Sequence, residues 1–214
     1  FKIAAPGGDK IGLRHISVNL KALEKLGAEI KRHNDYYTVD CDNLKGTEII
    51  LEEFSVTATE TAILAAVLAD GKTVIKGAAQ EPHVQELEKM LREMGAKIKR
   101  FENNIVEVEG VKNLKGIYYE IPPDPIEAAT FLIIGAVVPG KILIKNADLD
   151  EYFLFLEKMR EIGVNFKKVG KDIEVSYSDN LNPVKIQALP YPGFPTDFLP
   201  VVVPLLLNAK GKSL

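Results

Sequence analysis

Apolar residues recur along the chain at the spacing of an amphipathic helix, and the clearest case follows Pro82. Proline suits the first turn of a helix, and Gly95 suits the left-handed cap that ends one. Residues three and four positions apart share one helix face, so this pattern predicts a helix that packs against a core. The apolar positions that define it are Val84, Leu87, Leu91 and Met94.

After each such helix, two short runs alternate between polar and apolar residues on either side of a polar turn. Alternation with a period of two is typical of a half-buried strand, and two runs around a short polar turn predict a β-hairpin. The paired runs are residues 30–32 with 37–40, 97–101 with 105–109, and 165–169 with 173–177.

A further predicted strand, at residues 48–52, 117–121 and 184–189, leads each time into a segment that is apolar on almost every face. A helix of that composition is expected to be buried. We expect Pro200 and Pro204 to bend or delay the third helix, because proline inside a helix removes a hydrogen bond. The three predicted buried helices span residues 61–68, 127–138 and 198–207.

Two glycine markers show that the pattern is a repeat. The glycines that end the amphipathic helices lie at positions 27, 95 and 163, 68 residues apart both times. A Gly-Lys pair recurs at positions 71, 140 and 211, at intervals of 69 and 71. The sequence therefore predicts three copies of one α/β unit, with the apolar helices inside and the sheets outside.

Composition narrows the function classes. The 214 residues are 46% hydrophobic and carry a formal net charge of -3, which predicts a globular chain without the basic face that nucleic acids need. Cys41 is the only cysteine, so the chain has neither an internal disulfide nor Cys/His metal-ligand spacing, and a reducing cytoplasm is expected. The apolar run 131–138 is too short to span a membrane. A start at Phe1 and an end at Leu214 predict a fragment.

The first candidate for chemistry is the loop Pro6–Arg14, which contains three glycines, one acid and two bases. A Pro-Gly-Gly turn presents the next side chain, Asp9, outward. Ile11 and Leu13 would anchor the loop, so that it could close over a ligand and carry an acid and an anion-binding base. A surface turn with solvated charges is the alternative.

The starts of the three apolar helices are the second candidate. Plain capping by Thr59, Asp124 and Thr196 would satisfy free backbone N–H groups. Alternatively, the N–H groups of residues 55–58 could bind a phosphate. Asp197 follows a rigid segment with three prolines between residues 190 and 195, which suits a positioned general base.

Several stretches together resemble the UDP-N-acetylglucosamine enolpyruvyl transferases (1-carboxyvinyltransferases) that open bacterial peptidoglycan synthesis. They are residues 6–14, 55–56, 73–97, 126–131 and 190–197, in register over nearly the whole chain. The resemblance implies an inverse αβ-barrel-like fold of 68-residue repeats in two domains, with the active site in the cleft between them. The crossover would fall near Pro122-Pro123. Residues 1–122 would form most of one threefold-repeat domain, and residues 123–214 part of the other.

The resemblance also implies the chemistry: transfer of enolpyruvyl from phosphoenolpyruvate to the 3-hydroxyl of UDP-N-acetylglucosamine through a tetrahedral intermediate, without metal or organic cofactor. Asp9 stands where most of the family has a cysteine, the proton donor on the lid, and a minority has aspartate. Asp197 matches the carboxylate that faces the sugar hydroxyl, and Arg14 the arginine that holds phosphate. The matched nucleotide-sugar contacts are Arg14, His15, Ile16, Ser17, Val18, Ser55 and Val56.

The chain departs from the family pattern at five positions, which leaves the acceptor open. His15 and Ser17 replace the usual proline and aspartate, Glu53 often a lysine, Thr57 often a glycine, and Pro125 usually an arginine. An acid at 53 would repel a diphosphate unless it turns away, and the loss of an arginine removes a charge-assisted contact. The alternatives are an enolpyruvyl transferase for another acceptor, such as shikimate 3-phosphate, and a non-catalytic binding protein on the same fold.

Overall fold

The computed structural model describes residues 1–4 and 16–214, which fall into two compact units, Phe1–Tyr119 and Glu120–Leu214. Both units mix helices and sheets. The first contains strands β1 Lys2–Ala4, β2 Glu29–Arg32, β3 Tyr36–Asp40, β4 Glu48–Ile50, β5 Lys72–Lys76, β6 Lys97–Phe101 and β7 Ile105–Glu109, and helices α1 Ser17–Lys25, α2 Val56–Ala66 and α3 Pro82–Glu93. The second contains β8 Lys141–Ile144, β9 Asn165–Val169 and β10 Asp172–Ser176, helices α4 Pro125–Val137, α5 Phe153–Ile162 and α6 Phe198–Leu207, and a 3₁₀ turn at Asp150–Tyr152.

The three predicted hairpins are confirmed. β2 pairs with β3, β6 with β7, and β9 with β10, all antiparallel. In each case the second hairpin strand also pairs with the strand that precedes the amphipathic helix, which gives the orders β1-β3-β2, β5-β7-β6 and β8-β10-β9. β4 adds to the second group as a parallel edge strand beside β5. The repeat read from the sequence is therefore present in the strand order.

The glycines that mark the repeat end their helices as predicted. Gly27, Gly95 and Gly163 have φ of 104°, 106° and 94°, a left-handed conformation that costs glycine no steric strain. The residue after each glycine donates its N–H to a carbonyl in the last turn of the helix, which satisfies an otherwise free acceptor. These bonds are Ala28 to Leu23 at 3.1 Å, Ala96 to Leu91 at 2.9 Å and Val164 to Met159 at 2.9 Å.

Of the three strands predicted just before the apolar helices, two are absent. Residues 117–121 form no strand. Tyr118 and Ile121 are 92% and 82% exposed, and no strand among the described residues pairs with this segment. Residues 184–189 pair only at isolated points, chiefly through Leu214, whose N–H and C=O bond to Val184 and Ile186 at 3.0 and 2.8 Å. Alternating side chains are not sufficient, because a strand also needs several consecutive backbone partners.

The apolar helices bury or half-bury most of their residues, and each keeps an exposed stripe. α2 buries Ala62 and Ile63, but Leu64 is 50% exposed. α4 and α6 pack against each other in the core of the second unit, while Phe131 is 43% and Leu207 81% exposed. α2 packs against α1, α3 and β5, and α4 packs against α6, β8 and β10.

Proline does not delay the third helix, since α6 begins at Phe198; a bend at the prolines stays a prediction. Pro200 falls in the first turn, where the backbone N–H would have no helical partner in any case. Pro204 is accommodated inside the helix.

A buried ion pair connects α3 to β6. Glu88 is 1% exposed and accepts hydrogen bonds from Nε of Arg100 at 3.1 and 3.2 Å, with a further contact from Nη2 of the same arginine. Arg92 approaches from the next turn at 3.5 Å. Nη1 of Arg100 is buried without a partner among the described residues. Glu88 is therefore the main compensation for a guanidinium held largely out of water.

Candidate functional site

Three of the predicted site residues, Asp9, Arg14 and His15, lie outside the described residues. Ile16 caps the start of α1 with its carbonyl, which accepts from Leu20 at 3.0 Å. Ser17 is exposed, whereas Val18 is 9% exposed and packs into the core of the first unit. A ligand at this turn would therefore meet the Ser17 side chain before that of Val18.

The start of α2 has fewer free backbone N–H groups than the sequence analysis expected. Ser55 is the N-cap, and its hydroxyl accepts from the Ala58 N–H at 3.3 Å, while its own N–H donates to the Glu53 carbonyl at 2.7 Å. Two of the four predicted donors are thus already used. The N–H groups of Val56 and Thr57 have no acceptor in the described part of the chain, and they point to where a phosphate could bind.

Thr59 is not the cap that the sequence suggested. It lies inside α2, fully buried, and its hydroxyl donates to the Ser55 carbonyl at 2.8 Å. The same hydroxyl accepts from the Ala79 N–H at 2.9 Å. A buried hydroxyl with both a donor and an acceptor partner fixes the start of α2 against the segment between β5 and α3.

A polar contact between α1 and α2 was not predicted. The side-chain amide of Asn19 donates to the Thr61 hydroxyl at 3.0 Å. Two residues further along α1, Lys21 donates to both carboxylate oxygens of Glu52 at 3.0 and 2.9 Å. The first contact holds α1 beside α2, and the second connects α1 to the segment between β4 and α2. No spacing in the sequence indicates which two helices meet.

Asp124 caps α4 as predicted. Its Oδ1 accepts from the N–H groups of Ile126 at 2.8 Å and Glu127 at 3.4 Å. This carboxylate is engaged in capping, and Pro125 occupies the first helical position.

Asp197, in the second unit, is exposed and makes no side-chain capping bond to α6. Its neighbours hold it in place: Phe194 and Phe198 are both 1% exposed and pack around Phe155, with ring centroids 6.1 and 4.7 Å from that of Phe155. The preceding turn is closed by Leu189, which donates to Phe194 at 3.0 Å. The predicted cap at Thr196 is wrong, because only its backbone carbonyl accepts, from Leu199. Among the described residues the Asp197 carboxylate has no hydrogen-bond partner, and it stands between two residues whose rings are buried.

Glu60 is a titratable group that the sequence analysis did not single out. It is half-buried on α2, and burial raises the pKa of its carboxyl above the ordinary value of 4.5. The positive charge of His83 opposes this pKa shift and the negative charge of Glu81 adds to it. The sequence could have indicated Glu60, because it is the one acidic residue on a helix that is otherwise mostly apolar.

We expect Glu60→Gln to raise the thermal unfolding temperature at neutral pH and to have less effect near pH 4. Because the pKa of Glu60 is higher in the folded state, the folded protein binds more protons, and stability falls as pH rises above about 4.5. Glutamine removes this loss. Thermal unfolding of both proteins between pH 4 and pH 8 checks the prediction; Glu53→Gln, at an exposed site, is the matched control. A difference between wild type and Glu60→Gln that does not change with pH would contradict it.

In the part of the chain that the structure describes, no three His, Cys, Asp or Glu side chains come together as a metal site. None of the helices in that part has the length and apolarity to cross a membrane.

The whole chain, residues 1–214, matches the family described as EPSP synthase (3-phosphoshikimate 1-carboxyvinyltransferase). It is 40% identical over 213 residues to the UDP-N-acetylglucosamine 1-carboxyvinyltransferase of Halothermothrix orenii, covering 100% of this chain and 51% of that protein. The protein of the same name from Koribacter versatilis is 39% identical over 212 residues, covering 99% and 49%. The chain spans about half the length of the curated relatives it matches.

Solved structures show the same fold. The enolpyruvyl transferase NikO from Streptomyces tendae superposes with a TM-score of 0.85 at 18% identity, covering 99% of this chain and 51% of that one. EPSP synthase from Acinetobacter baumannii gives a TM-score of 0.62 at 22% identity, covering 94% and 46%. The predicted α/β fold of the enolpyruvyl transferases is confirmed.

Proposed function

Because the chain belongs to the EPSP synthase (3-phosphoshikimate 1-carboxyvinyltransferase) family, we propose that the polypeptide containing it transfers the enolpyruvyl group of phosphoenolpyruvate to the 3-hydroxyl of UDP-N-acetylglucosamine and releases phosphate. The observation that supports this acceptor is the 40% identity, over the entire chain, to relatives with that name. The reaction would be the first committed step of peptidoglycan synthesis, serving cell shape and division, and would take place in the cytoplasm.

Asp197 and Asp9 divide the proton transfers in this proposal. Asp197 accepts the proton of the sugar 3-hydroxyl as the oxygen of that hydroxyl bonds to C2 of phosphoenolpyruvate. Asp9 donates a proton to C3, which becomes a methyl group. The methyl group then returns a proton to the Asp9 carboxylate as the bond from C2 to the phosphate oxygen breaks, and the proton on Asp197 leaves with the phosphate. An aspartic acid with an ordinary pKa of ~3.9 is a poor donor at neutral pH, so the closed site must raise the pKa of Asp9.

Substrate binding is assigned to charges and free N–H groups. Arg14 holds the phosphate of phosphoenolpyruvate by charge-assisted hydrogen bonds. The N–H groups of Val56 and Thr57, beside Ser55, receive the diphosphate at the start of α2. Residues 14–18 contact the uridine. Because Glu53 is exposed, its carboxylate can turn away from the diphosphate. Its backbone carbonyl accepts the hydrogen bond from Ser55.

The family description favours one other acceptor, shikimate 3-phosphate. The test is phosphate release from phosphoenolpyruvate with each acceptor, by a polypeptide that carries this chain with the remaining length found in its relatives. We expect release with UDP-N-acetylglucosamine and none above background with shikimate 3-phosphate. The reverse result would assign the protein to the second acceptor, and release with neither would favour a binding protein.

We expect the 214-residue chain alone to give no measurable turnover. It spans about half of its relatives, and a site in a cleft needs both of its walls. The measurement is phosphate release with both substrates at high enzyme concentration, with the longer polypeptide as positive control. Turnover by the 214-residue chain would show that the site assignment is wrong.

A further inference from the structure

Two neighbouring helices of the first unit begin with stretches that the proposed function assigns to the nucleotide sugar. Ile16 to Val18 lie at the start of α1, and Ser55 and Val56 lie at the start of α2. The two helices pack against each other. A ligand that contacts both helix starts must match the spacing between them, so the contacts that fix this spacing also affect its affinity.

Threonine hydroxyl groups fix the first turn of α2. The Thr59 hydroxyl donates to the Ser55 carbonyl at 2.8 Å, and the Thr61 hydroxyl donates to the Thr57 carbonyl at 2.7 Å. Because a peptide group is planar, holding the Ser55 carbonyl also sets the direction of the Val56 N–H. The backbone at this helix start therefore has a defined orientation before any ligand binds.

The Thr61 hydroxyl also connects this turn to α1. It accepts a hydrogen bond from the side-chain amide of Asn19 at 3.0 Å while it donates to the Thr57 carbonyl. Asn19 directly follows Val18. Asn19, Thr61 and the Thr57 carbonyl thus form a hydrogen-bonded chain from one helix start to the other.

The other contacts between α1 and this region fix their relative position less firmly. Alanine supplies four of the seven buried side chains that the two helices contribute, two from α1 and five from α2. Alanine has no atoms beyond Cβ that could interlock across the interface. The ion pair of Lys21 with Glu52 joins side chains that are 56% and 67% exposed, and such pairs contribute little. A polar contact between packed helices can specify how one lies along the other.

The second unit shows that the repeat does not require a polar contact at this place. Asn19 on α1 and Phe155 on α5 each lie eight residues before the glycine that ends the helix, Gly27 or Gly163. Phe155 meets the apolar helix of its own unit, α6, through the ring of Phe198, with the centroids 4.7 Å apart. The polar contact belongs to the unit that carries the nucleotide-sugar stretches.

We propose that Asn19 and Thr61 are a positioning pair, which sets the spacing between the two helix starts to match a ligand with a uridine and a diphosphate. The inference rests on the proposed function, which places the uridine at the start of α1 and the diphosphate at the N–H groups of Val56 and Thr57. Loss of the pair weakens a ligand that spans both helix starts more than one that occupies a single start, because the two parts reinforce each other only when both fit at once.

The test compares UDP, which spans both helix starts, with uridine, on a polypeptide that carries this chain with the remaining length of its relatives. Thr61→Val removes the hydroxyl at nearly unchanged shape. It should weaken UDP binding about three- to tenfold, as expected for one lost hydrogen bond, and uridine binding less than about twofold. Thr61→Ser keeps the hydroxyl and should bind UDP as the wild type does.

Thr73→Val is the matched control. Thr73 is fully buried on β5, and its hydroxyl has no hydrogen-bond partner among the described residues. The same substitution there removes a buried hydroxyl without breaking a contact, so both affinities should stay unchanged.

Asn19 is tested by a double-mutant cycle. Asn19→Ala should weaken UDP binding as Thr61→Val does, and the combined variant should lose little more, because each substitution removes the same contact. In phosphate-release kinetics both variants should raise the KM for UDP-N-acetylglucosamine and leave kcat and the KM for phosphoenolpyruvate unchanged. A loss of folded protein would lower kcat instead.

The outcomes separate this inference from the proposed function. Unchanged UDP binding in Asn19→Ala and Thr61→Val, equal losses for uridine and UDP, additive losses in the double variant, or an equal loss in Thr73→Val would each overturn the positioning pair and leave the proposed function intact. A folded wild-type protein that binds neither UDP nor uridine would overturn both.

Discussion

Replacement of Asp9 by cysteine should make the enzyme sensitive to fosfomycin-type epoxides, and replacement by alanine should reduce turnover by at least about 10²-fold. The resemblance implies that an epoxide of this type would alkylate the lid cysteine found in most of the family, because a thiolate is a strong nucleophile and a carboxylate is a weak one. Wild type, with a carboxylate at position 9, should keep turning over in the presence of the epoxide. The measurement is time-dependent inactivation of wild type and Asp9→Cys.

Cys41 is the control for this experiment, because it is an exposed thiol that an epoxide could reach. It follows β3, and its Sγ lies 3.8 Å from the Gly27 carbonyl. The Asp9→Cys/Cys41→Ser variant should be as sensitive as Asp9→Cys. Equal, rapid inactivation of wild type and Asp9→Cys would mean that Asp9 is not the lid acid.

Glu88→Ala should lower the free energy of unfolding by about 3–5 kcal/mol. The variant leaves the Arg100 guanidinium largely buried without its carboxylate, and Nη1 of this arginine already lacks a partner among the described residues. Urea-induced unfolding of the 214-residue chain, followed by circular dichroism, measures the change.

Two further variants distinguish the cost of an unpaired buried charge from the cost of losing an ion pair as such. Glu88→Leu combined with Arg100→Leu removes both charges and should cost less than Glu88→Ala, because no unpaired ion remains. Glu109→Gln breaks the exposed pair with Lys97, whose side chains are 61% and 60% exposed, and should cost less than about 1 kcal/mol. A loss as small for Glu88→Ala as for Glu109→Gln would contradict the prediction.

Local patterns predicted the repeating elements well. The hairpins follow from strict alternation. Gly27, Gly95 and Gly163 could be predicted as helix ends because the left-handed residue that ends a helix is usually glycine. Residues 117–121 alternate just as regularly, yet they form no strand. Strand formation depends on a neighbouring backbone, which the segment's own sequence does not contain.

The candidate site was predictable only in part. Ser55 and Asp197 lie at helix starts as expected, but the sequence did not show that Ser55 uses one donor for its own cap or that Asp197 leaves its carboxylate free. The capping roles of Thr59 and Thr196 failed because the start of each helix is set by tertiary contacts. Asn19 and Thr61 were missed for the same reason: their contact depends on how α1 packs on α2. The roles of Asp9, Arg14 and His15 remain predictions.

The most direct measurement uses mass spectrometry to follow enolpyruvyl transfer by a polypeptide that carries this chain with the remaining length of its relatives. Phosphoenolpyruvate is supplied with UDP-N-acetylglucosamine or with its 3-deoxy analogue, which lacks the proposed attacking hydroxyl. The account predicts an enolpyruvyl nucleotide sugar and an equal amount of phosphate from the first acceptor, and neither from the second. Transfer to the 3-deoxy analogue, or no transfer to UDP-N-acetylglucosamine by a folded protein, would contradict it.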